Sequence, residues 1–277
     1  MSNIYLNGQW LPIEQAQISV LDRGFIFGDG VYEVIPVYSR KAFALDAHLQ
    51  RLDNSLKGIR LAAPLNHDQW RTIISQLVGE ADQEDSSIYL QISRGVAPRD
   101  HAFPKNTSAT VFAMAKPMAP VPQDWLENGI KVVTHTDDRW LHCDLKTTAL
   151  LANVLLRQYA VDQGAVECVL IRDGFVTEGA ASNIIVVHDN TLLFPPRNNL
   201  ILPGITYDLI IDLAQQHRLP FKEAPVPQTV LLQSSEIMMT SSTREIVPIT
   251  QIDGKPVGNG QPGPLFKQLL TLYQSLK

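Results

Sequence analysis

Residues 166–194, "VECVLIRDGFVTEGAASNIIVVHDNTLLF", consist of short apolar runs separated by breaks rich in polar and small residues. Apolar and β-branched residues dominate four of these runs, which therefore predict β-strands: 166–171, 175–178, 183–187 and 191–194. Asp173 and Gly174 separate the first two strands and are typical of a tight hairpin turn. Because hairpins outnumber strand–helix–strand units along the chain, we predict the α+β class.

The first half of the chain mixes hairpins with helices. Asn7-Gly8 predicts the turn of one hairpin, within "IYLNGQWLP", and a second hairpin is predicted where "KAFALD" follows "GVYEVIPVY". Helical spacing of apolar residues in "DAHLQRLDNSLKGI" predicts a helix with Asp46 as its N-cap, and "NHDQWRTIISQLVGE" predicts another. Two further strands are predicted in "SSIYLQISRG" and "SATVFAMAKP".

A proline-rich stretch divides the chain. "KPMAPVPQD" places three prolines within six residues and is typical of a linker. We therefore predict a small N-terminal domain over residues 1–117, a linker over 118–123 and a large domain over 124–277. In the large domain, "IKVVTH" predicts a strand and "TTALLANVLLRQYAVDQGA" a helix that Gly164 closes. Helices are also predicted after "LPGIT" and in "GPLFKQLLTLYQSL".

The composition excludes several classes of protein. The formal net charge is −5 and no basic tract is present, which argues against a nucleic-acid surface. No stretch approaches the roughly 18 uninterrupted apolar residues of a membrane span, and the N-terminus lacks the pattern of a signal peptide. Cys143 and Cys168 are too few for a disulfide framework or a cysteine metal site. We therefore expect a reduced, cytoplasmic protein without a metal.

Lys146 is a candidate for amine chemistry. It directly precedes the predicted helix that contains Thr147 and Thr148, which would serve as caps. The positive end of the helix dipole and the apolar neighbours Leu145 and Leu150 would disfavour the ammonium and lower its pKa. A neutral amine is what Schiff-base chemistry requires. Position alone is equally consistent with an ordinary lysine at the start of a helix.

Glu178 is a candidate partner for that lysine. Four small residues follow it: Gly179, Ala180, Ala181 and Ser182. In pyridoxal phosphate enzymes an acid commonly keeps the pyridine nitrogen protonated, and small residues would allow the backbone to lie flat against the ring. Taken in isolation, the segment is also consistent with a solvated carboxylate at the end of a strand.

Three segments could bind a phosphate. "LPGIT" leads into a helix, so the amides of Ile205 and Thr206 could face an anion. "TSSTRE" offers the hydroxyls of Ser241 and Ser242, and Arg51 offers a guanidinium fork. Each signal is weak alone, because such segments are also common in ordinary loops and on helix surfaces.

Taken together, these segments resemble the fold type IV pyridoxal phosphate enzymes, and most closely the bacterial D-amino-acid aminotransferases. The matching segments share their order and have compatible spacing from about Ile4 to about Pro248. They are "DRGFIFGDGVYEV", "HLQRL", "SRGVAPRDHAFP", "CDLKTTALLANVLLRQYA", "VTEGAASNI", "LPGIT" and "TSSTREIVP".

The resemblance implies a fold and a cofactor site. The fold would combine a small N-terminal α/β sandwich with a larger C-terminal pseudo-barrel that carries the cofactor lysine. Lys146 would form the imine with pyridoxal 5'-phosphate, and Glu178 would hold the pyridine nitrogen. The cofactor phosphate would be bound by the remaining matched residues, namely Arg51, Ile205, Thr206, Ser241 and Ser242. Tyr207 departs from the pattern, because relatives often carry arginine there, and this puts local contacts beside the phosphate in doubt.

The resemblance also implies a substrate. Tyr32, Arg99 and His101 match the trio that binds the α-carboxylate of D-amino acids, with the arginine and histidine supplied by the neighbouring subunit of a homodimer. The implied activity is transfer of the amino group from D-amino acids such as D-alanine to a 2-oxo acid such as 2-oxoglutarate. Branched-chain L-aminotransferase and aminodeoxychorismate lyase share the cofactor residues, and "RDH" at 99–101 favours the D-amino-acid enzyme. A non-catalytic cofactor-binding protein is the alternative from another class.

Overall fold

The computed structural model of the protein describes residues 3–277, which divide into two compact units. The first unit comprises the described residues up to Ala119 together with Leu145–Leu150. The second comprises Pro120–Asp144 and Leu151–Lys277. The first division, after Ala119, falls inside the predicted linker 118–123, whereas the return of Leu145–Leu150 to the first unit was not anticipated.

The first unit is built on a six-stranded antiparallel sheet. Its strands are β1 (Asn3–Leu6), β2 (Gln9–Pro12), β3 (Gly30–Tyr38), β4 (Lys41–Ala42), β5 (Ser86–Ser93) and β6 (Thr110–Pro117), in the order β2-β1-β6-β5-β3-β4. Its helices are α1 (Arg23–Phe27), α2 (Leu45–Gly58) and α3 (His67–Glu80). Buried apolar side chains from α2, α3 and the sheet, including Leu52, Trp70 and Ile88, form one core.

Both predicted hairpins of this unit are confirmed. Asn7 and Gly8 have φ values of 51° and 88°, the left-handed conformation that a two-residue hairpin turn requires. The predicted cap of α2 is wrong, because the helix begins at Leu45, after Ala44 with φ 51°, and places Asp46 in its first turn. The Asp46 carboxylate instead accepts a hydrogen bond from Arg71 of α3 at 2.7 Å.

The second unit contains a mixed sheet that curls into a half-barrel. Its strands are β7 (Ile130–Thr136), β8 (Glu167–Arg172), β9 (Phe175–Gly179), β10 (Asn183–His188), β11 (Thr191–Phe194), β12 (Phe221–Glu223), β13 (Val226–Pro227), β14 (Glu236–Ser241), β15 (Glu245–Ile252) and β16 (Lys255–Pro256). Their order is β12-β11-β10-β14-β15-β7-β8-β9-β13, with β16 paired to β15. The helices are α4 (Gln123–Asn128), α5 (Leu151–Asp162), α6 (Ile205–Gln216), α7 (Gln228–Leu232) and α8 (Pro264–Gln274).

The four strands predicted in residues 166–194 are β8 to β11, each confirmed to within one residue at either end. The α+β class is confirmed as well. The prediction that a helix begins directly after Lys146 is wrong, since α5 begins at Leu151. No helix among residues 3–277 has the length and apolar character needed to cross a bilayer.

The segment before α5 is extended because its backbone pairs within the first unit. Thr147 forms a β-bridge with Val31, and the Tyr32 amide donates to the Lys146 carbonyl at 3.1 Å. The Lys146 amide in turn donates to Ser55 Oγ at 3.2 Å. Lys146 therefore lies outside the first turn of α5, and the predicted lowering of its pKa by that helix dipole has no structural basis.

Candidate active site

Lys146 lies beside the aromatic face of Tyr32. Its side-chain nitrogen is 4.2 Å from the centre of the Tyr32 ring, and the residue is half-buried. The first unit therefore brings the predicted cofactor lysine together with one predicted substrate residue. Both are held by β3, which carries Tyr32 and pairs with the backbone of the lysine segment.

Arg51 is oriented by a buried carboxylate on β3. Its Nε and Nη2 donate to the two oxygens of Glu33, each at 2.8 Å, in the planar fork that arginine and carboxylate favour. His48 Nδ1 lies 2.8 Å from Glu33 Oε2. Burial favours protonation of Glu33, but the charge and hydrogen bonds of Arg51, with His48, outweigh it and lower the Glu33 pKa to about 2. The carboxylate that fixes Arg51 is thus ionised at neutral pH.

Sequence reasoning missed Glu33 and His48. Glu33 lies within the apolar strand "GVYEVIPVY", where a buried acid signals a partner, and His48 lies three residues before Arg51 on α2. Burial lowers the pKa of His48 despite the hydrogen bond to Glu33, and the nearby charges of Arg51 and Lys146 lower it further. Arg51 and Lys146 therefore lie in one electrostatic neighbourhood of the first unit.

A cavity of about 500 Å³ adjoins Tyr32 on the sheet of the first unit. Tyr32 and Tyr89 line it with ring centres 5.8 Å apart. The Tyr89 hydroxyl donates to Gln91 Oε1 at 2.7 Å, and burial raises the pKa of Tyr89 to about 12. Tyr89 consequently stays a neutral hydrogen-bonding group at physiological pH.

Arg99 and His101 lie together in an exposed loop between β5 and β6. The Arg99 guanidinium carbon is 5.2 Å from the centre of the Phe27 ring, and the His101 ring is 5.4 Å from it. The structure thus brings Arg99 and His101 together on Phe27, whereas Tyr32 contacts Lys146 and Tyr89.

In the second unit, Glu178 is buried on β9 and has three hydrogen-bond partners. Arg139 Nη1 donates to Oε1 at 2.5 Å, and Oε2 accepts from Asn183 Nδ2 at 3.2 Å and from the Leu202 amide at 3.0 Å. Burial raises the pKa of Glu178 to about 7, although Arg139 opposes the change. The carboxyl group is therefore fixed in place and close to the midpoint of its titration at neutral pH.

Sequence reasoning also missed Arg139, which a second buried acid holds in place. Asp137 accepts from Arg139 Nε at 2.9 Å and from Nη2 at 3.0 Å, and Thr177 Oγ1 donates to Asp137 at 2.8 Å. Burial disfavours ionisation of Asp137, but the Arg139 contacts outweigh it and lower the Asp137 pKa. No sequence signal pairs residues 139 and 178, because they meet only through the sheet.

The small residues after Glu178 have a local structural cause. A Cβ on Gly179 would lie 2.2 Å from Ser182 Oγ, and the Gly179 amide donates to the Ser182 carbonyl at 2.6 Å. The Ala180 carbonyl accepts from Asn153 of α5 at 2.8 Å. The tight turn at 179–182 therefore requires glycine at its first position, independently of any cofactor ring.

The predicted phosphate residues of the second unit converge near Asn183. Ile205 and Thr206 begin α6, whose N-cap Gly204 provides no side-chain cap. A Cβ on Gly204 would lie 2.0 Å from Asn183 Oδ1, and Asn183 pairs with Thr240, the residue before Ser241. Ser241 and Ser242 therefore lie next to an uncapped helix N-terminus, which suits an anion such as the phosphate of pyridoxal 5'-phosphate.

Tyr207 belongs to the core of the second unit. Its hydroxyl donates to the Pro195 carbonyl, and its ring packs edge-on against Phe194 with centres 5.1 Å apart. Burial raises the pKa of Tyr207, so the hydroxyl remains a neutral donor. The departure from the family pattern at this position is thus accommodated by packing and a backbone hydrogen bond.

Comparison with known proteins identifies the family. The model of the amino-transferase class IV family matches residues 30–252. The D-alanine aminotransferase of Bacillus licheniformis is 38% identical over 98% of this chain and 96% of its own. The branched-chain amino acid aminotransferase of Escherichia coli is 26% identical, with a TM-score of 0.93 over 99% of this chain and 94% of its own.

A second solved structure carries a form of the cofactor. It is the branched-chain amino acid aminotransferase of the source abbreviated T.th, with pyridoxamine 5'-phosphate, and it is 25% identical to this chain. Its TM-score is 0.93 over 99% of this chain and 93% of its own. The chain therefore belongs to the class IV aminotransferases, which are pyridoxal phosphate-dependent enzymes.

Proposed function

We propose that the protein transfers the amino group of D-amino acids, such as D-alanine, to a 2-oxo acid such as 2-oxoglutarate. The observation that carries this proposal is the near full-length similarity to enzymes named D-alanine aminotransferase, at 37–38% identity. The "RDH" loop supports it, because Arg99 and His101 lie together and exposed, as groups that bind a substrate carboxylate must.

Each site residue has a separate task in this proposal. Bound pyridoxal 5'-phosphate supplies the electron sink for bond breaking at the substrate Cα. The Lys146 amine binds the cofactor covalently and moves the Cα proton as a general base. Glu178 keeps a proton at the pyridine nitrogen. The phosphate is held by the remaining cofactor residues, namely Arg51, Ile205, Thr206, Ser241 and Ser242.

The active unit in this proposal is a homodimer. The α5 helix exposes a stripe of apolar side chains at helical spacing: Leu151, Val154, Leu155 and Tyr159. Such a stripe suits burial against a second copy of the chain, because monomeric proteins rarely expose contiguous apolar surface of this kind. Arg99 and His101 would then serve the α-carboxylate in the neighbouring subunit, together with that subunit's Tyr32.

A cytoplasmic location is part of the same proposal. Both cysteines are buried and unpaired with each other. Burial raises the pKa of Cys143 to about 11 and that of Cys168 to about 12, which makes both thiols unreactive at neutral pH. Free, inert thiols are typical of proteins that work in a reducing compartment.

Branched-chain L-amino-acid transamination is the second candidate. It is favoured by the solved structures, whose similarity to this chain in fold is very high. Fold similarity alone does not decide the substrate, because one fold supports several activities. The sequence similarity is greater to the D-alanine enzymes, at 38% against 26%.

The carboxylate contact gives the test. We expect Arg99→Ala to raise the half-saturating concentration of D-alanine about ten- to hundredfold, because a charge-assisted hydrogen bond contributes roughly 1.5–3 kcal/mol. The absorbance of the bound cofactor should not change. Mixed and reassociated Arg99→Ala and Lys146→Ala subunits should recover up to about a quarter of the parental activity, since each mixed dimer contains one intact shared site.

Two outcomes would count against these proposals. Unchanged D-alanine saturation in Arg99→Ala, or parental enzyme equally active with L-leucine, would favour the branched-chain activity. Failure of the mixed subunits to regain activity, although mixed dimers form, would place Arg99 in its own subunit's site. Arg71→Ala, an exposed arginine on α3, is the control for a general effect of lost charge.

A further inference from the structure

Arg23 is a buried cation that the proposed chemistry does not use. It is the first residue of α1 and only 4% exposed. Its Nη1 donates to the carbonyl of Asp100 at 2.5 Å and to that of Ala102 at 3.4 Å, and its Nη2 donates to the carbonyl of His101 at 3.4 Å. One guanidinium thus binds three consecutive carbonyls of the loop that carries Arg99 and His101.

Asp29 holds this guanidinium in place. Its Oδ2 accepts from Arg23 Nε and from Arg94 Nε, each at 2.8 Å, and its Oδ1 accepts from Arg94 Nη2 at 3.0 Å. Burial disfavours ionisation of Asp29, but the hydrogen bonds from Arg94 and Arg23 outweigh it and lower the Asp29 pKa. The carboxylate is therefore charged at neutral pH and orients both arginines.

Arg94 attaches the same network to the rest of the first unit. Its Nη2 donates to the carbonyl of Ile59 at 2.7 Å, and its Nη1 donates to that of Arg60 at 3.3 Å. Its guanidinium carbon lies 3.8 Å from the centre of the Phe103 ring. The loop is consequently held at its backbone by Arg23 and at Phe103 by Arg94.

The short helix α1 also contacts the loop side chains. Phe27, at the end of α1, packs against Arg99 and His101. The start of α1 is fixed by Asp22, which accepts from the Gly24 amide at 2.8 Å, and its end by Gly28 with φ 66°. One rigid turn of helix thus supports both the backbone and the functional side chains of an otherwise exposed loop.

We propose that Arg23 and Asp29 are positioning residues for the substrate α-carboxylate, acting by holding the loop of Arg99 and His101 in its binding conformation. This inference rests on the proposed function of Arg99 and His101. Without the network, the exposed loop would have to be ordered when substrate binds, and that entropy would weaken binding. Lys146 and Glu178 would be untouched, so the loss should appear in substrate saturation and not in cofactor binding.

The test is a double-mutant cycle in the holoenzyme. D-Alanine is mixed with Arg23→Met, Arg99→Ala and the double variant, and the half-reaction is followed by cofactor absorbance. We expect Arg23→Met to raise the half-saturating D-alanine concentration about tenfold, with less than about a twofold change in the maximal rate. In the Arg99→Ala background the same substitution should add less than about twofold, because the two act through one contact.

Asp29→Asn provides a second variant that retains the shape of the carboxyl group, should Arg23→Met fail to fold. It should raise the half-saturating concentration about threefold, in the same direction. Arg71→Met is the matched control, because Arg71 pairs with Asp46 and Asp68 on the surface and does not contact the loop. Its saturation curve should overlay that of the parent.

The outcomes separate this inference from the proposed function. Weakened D-alanine binding in Arg99→Ala, with parental binding in both Arg23→Met and Asp29→Asn, would overturn the positioning role alone. Fully multiplicative effects of Arg23→Met and Arg99→Ala would also overturn it, because independent contributions exclude action through Arg99. Parental binding in Arg99→Ala would overturn the proposed substrate site and this inference together.

Discussion

Replacing Lys146 by alanine should lower the turnover of D-alanine by at least about a thousandfold. The proposal assigns this amine both the covalent bond to the cofactor and the transfer of the Cα proton, and general base catalysis alone contributes about a hundred- to ten-thousandfold. Steady-state turnover with 2-oxoglutarate measures the loss. Lys57→Ala, at an exposed position in the last turn of α2, is the control and should retain parental turnover.

Chemical labelling assigns the lysine independently of rate. Borohydride reduction of the parental holoenzyme should attach the cofactor irreversibly to the peptide that contains Lys146, as peptide mass spectrometry would detect. The Lys146→Ala protein should carry no such label. Label on another lysine of the parent, or parental turnover in Lys146→Ala, would show that the assignment is wrong.

Glu178→Gln should retain the cofactor and lose about a hundredfold in turnover. A neutral amide stabilises a protonated pyridine nitrogen much less than a carboxylate does, and each 1.36 kcal/mol lost from the transition state slows the reaction about tenfold. Glu167→Gln is a matched control, since Glu167 is a buried acid on the adjacent strand whose oxygens bond Cys168 and Ser182. Parental turnover in Glu178→Gln would show that this acid has only a structural role.

The same variant reports the electrostatics of Glu178 in protein freed of cofactor. Burial raises the pKa of folded Glu178 to about 7, above its ordinary value of 4.5, so the folded state binds the proton more tightly than the unfolded state. The unfolding free energy of the parent, relative to Glu178→Gln, should therefore fall as pH rises from about 4.5 to about 7 and then level off. A difference that rises over this range would contradict the raised pKa.

Local signals in the sequence were sufficient for much of the fold. The Asn7-Gly8 pair and the four apolar runs between 166 and 194 determine hairpins through turn chemistry and strand composition, and both were confirmed. α4 escaped prediction because six residues are too few for a helical period to show. The cap of α2 was missed because Ala44 adopts a left-handed conformation that no sequence rule favours for alanine.

The environment of the site residues was beyond the sequence. Lys146 looked like a helix-start lysine, yet its backbone pairs with β3, more than a hundred residues earlier in the chain. The partners Glu33 of Arg51 and Arg139 of Glu178 are separated from them by 18 and 39 residues. Such pairs form through tertiary contacts, so side-chain type alone identifies candidates but does not identify what orients them.

The central claim is that Lys146 removes the Cα proton of D-amino acids, and proton exchange tests it most directly. The holoenzyme is incubated with D-alanine or L-leucine in D₂O without a 2-oxo acid, and the α-proton signal is followed by NMR. We predict that the D-alanine signal disappears, that the L-leucine signal persists, and that Lys146→Ala abolishes the exchange. Faster exchange of L-leucine than of D-alanine, or exchange that survives in Lys146→Ala, would contradict the claim.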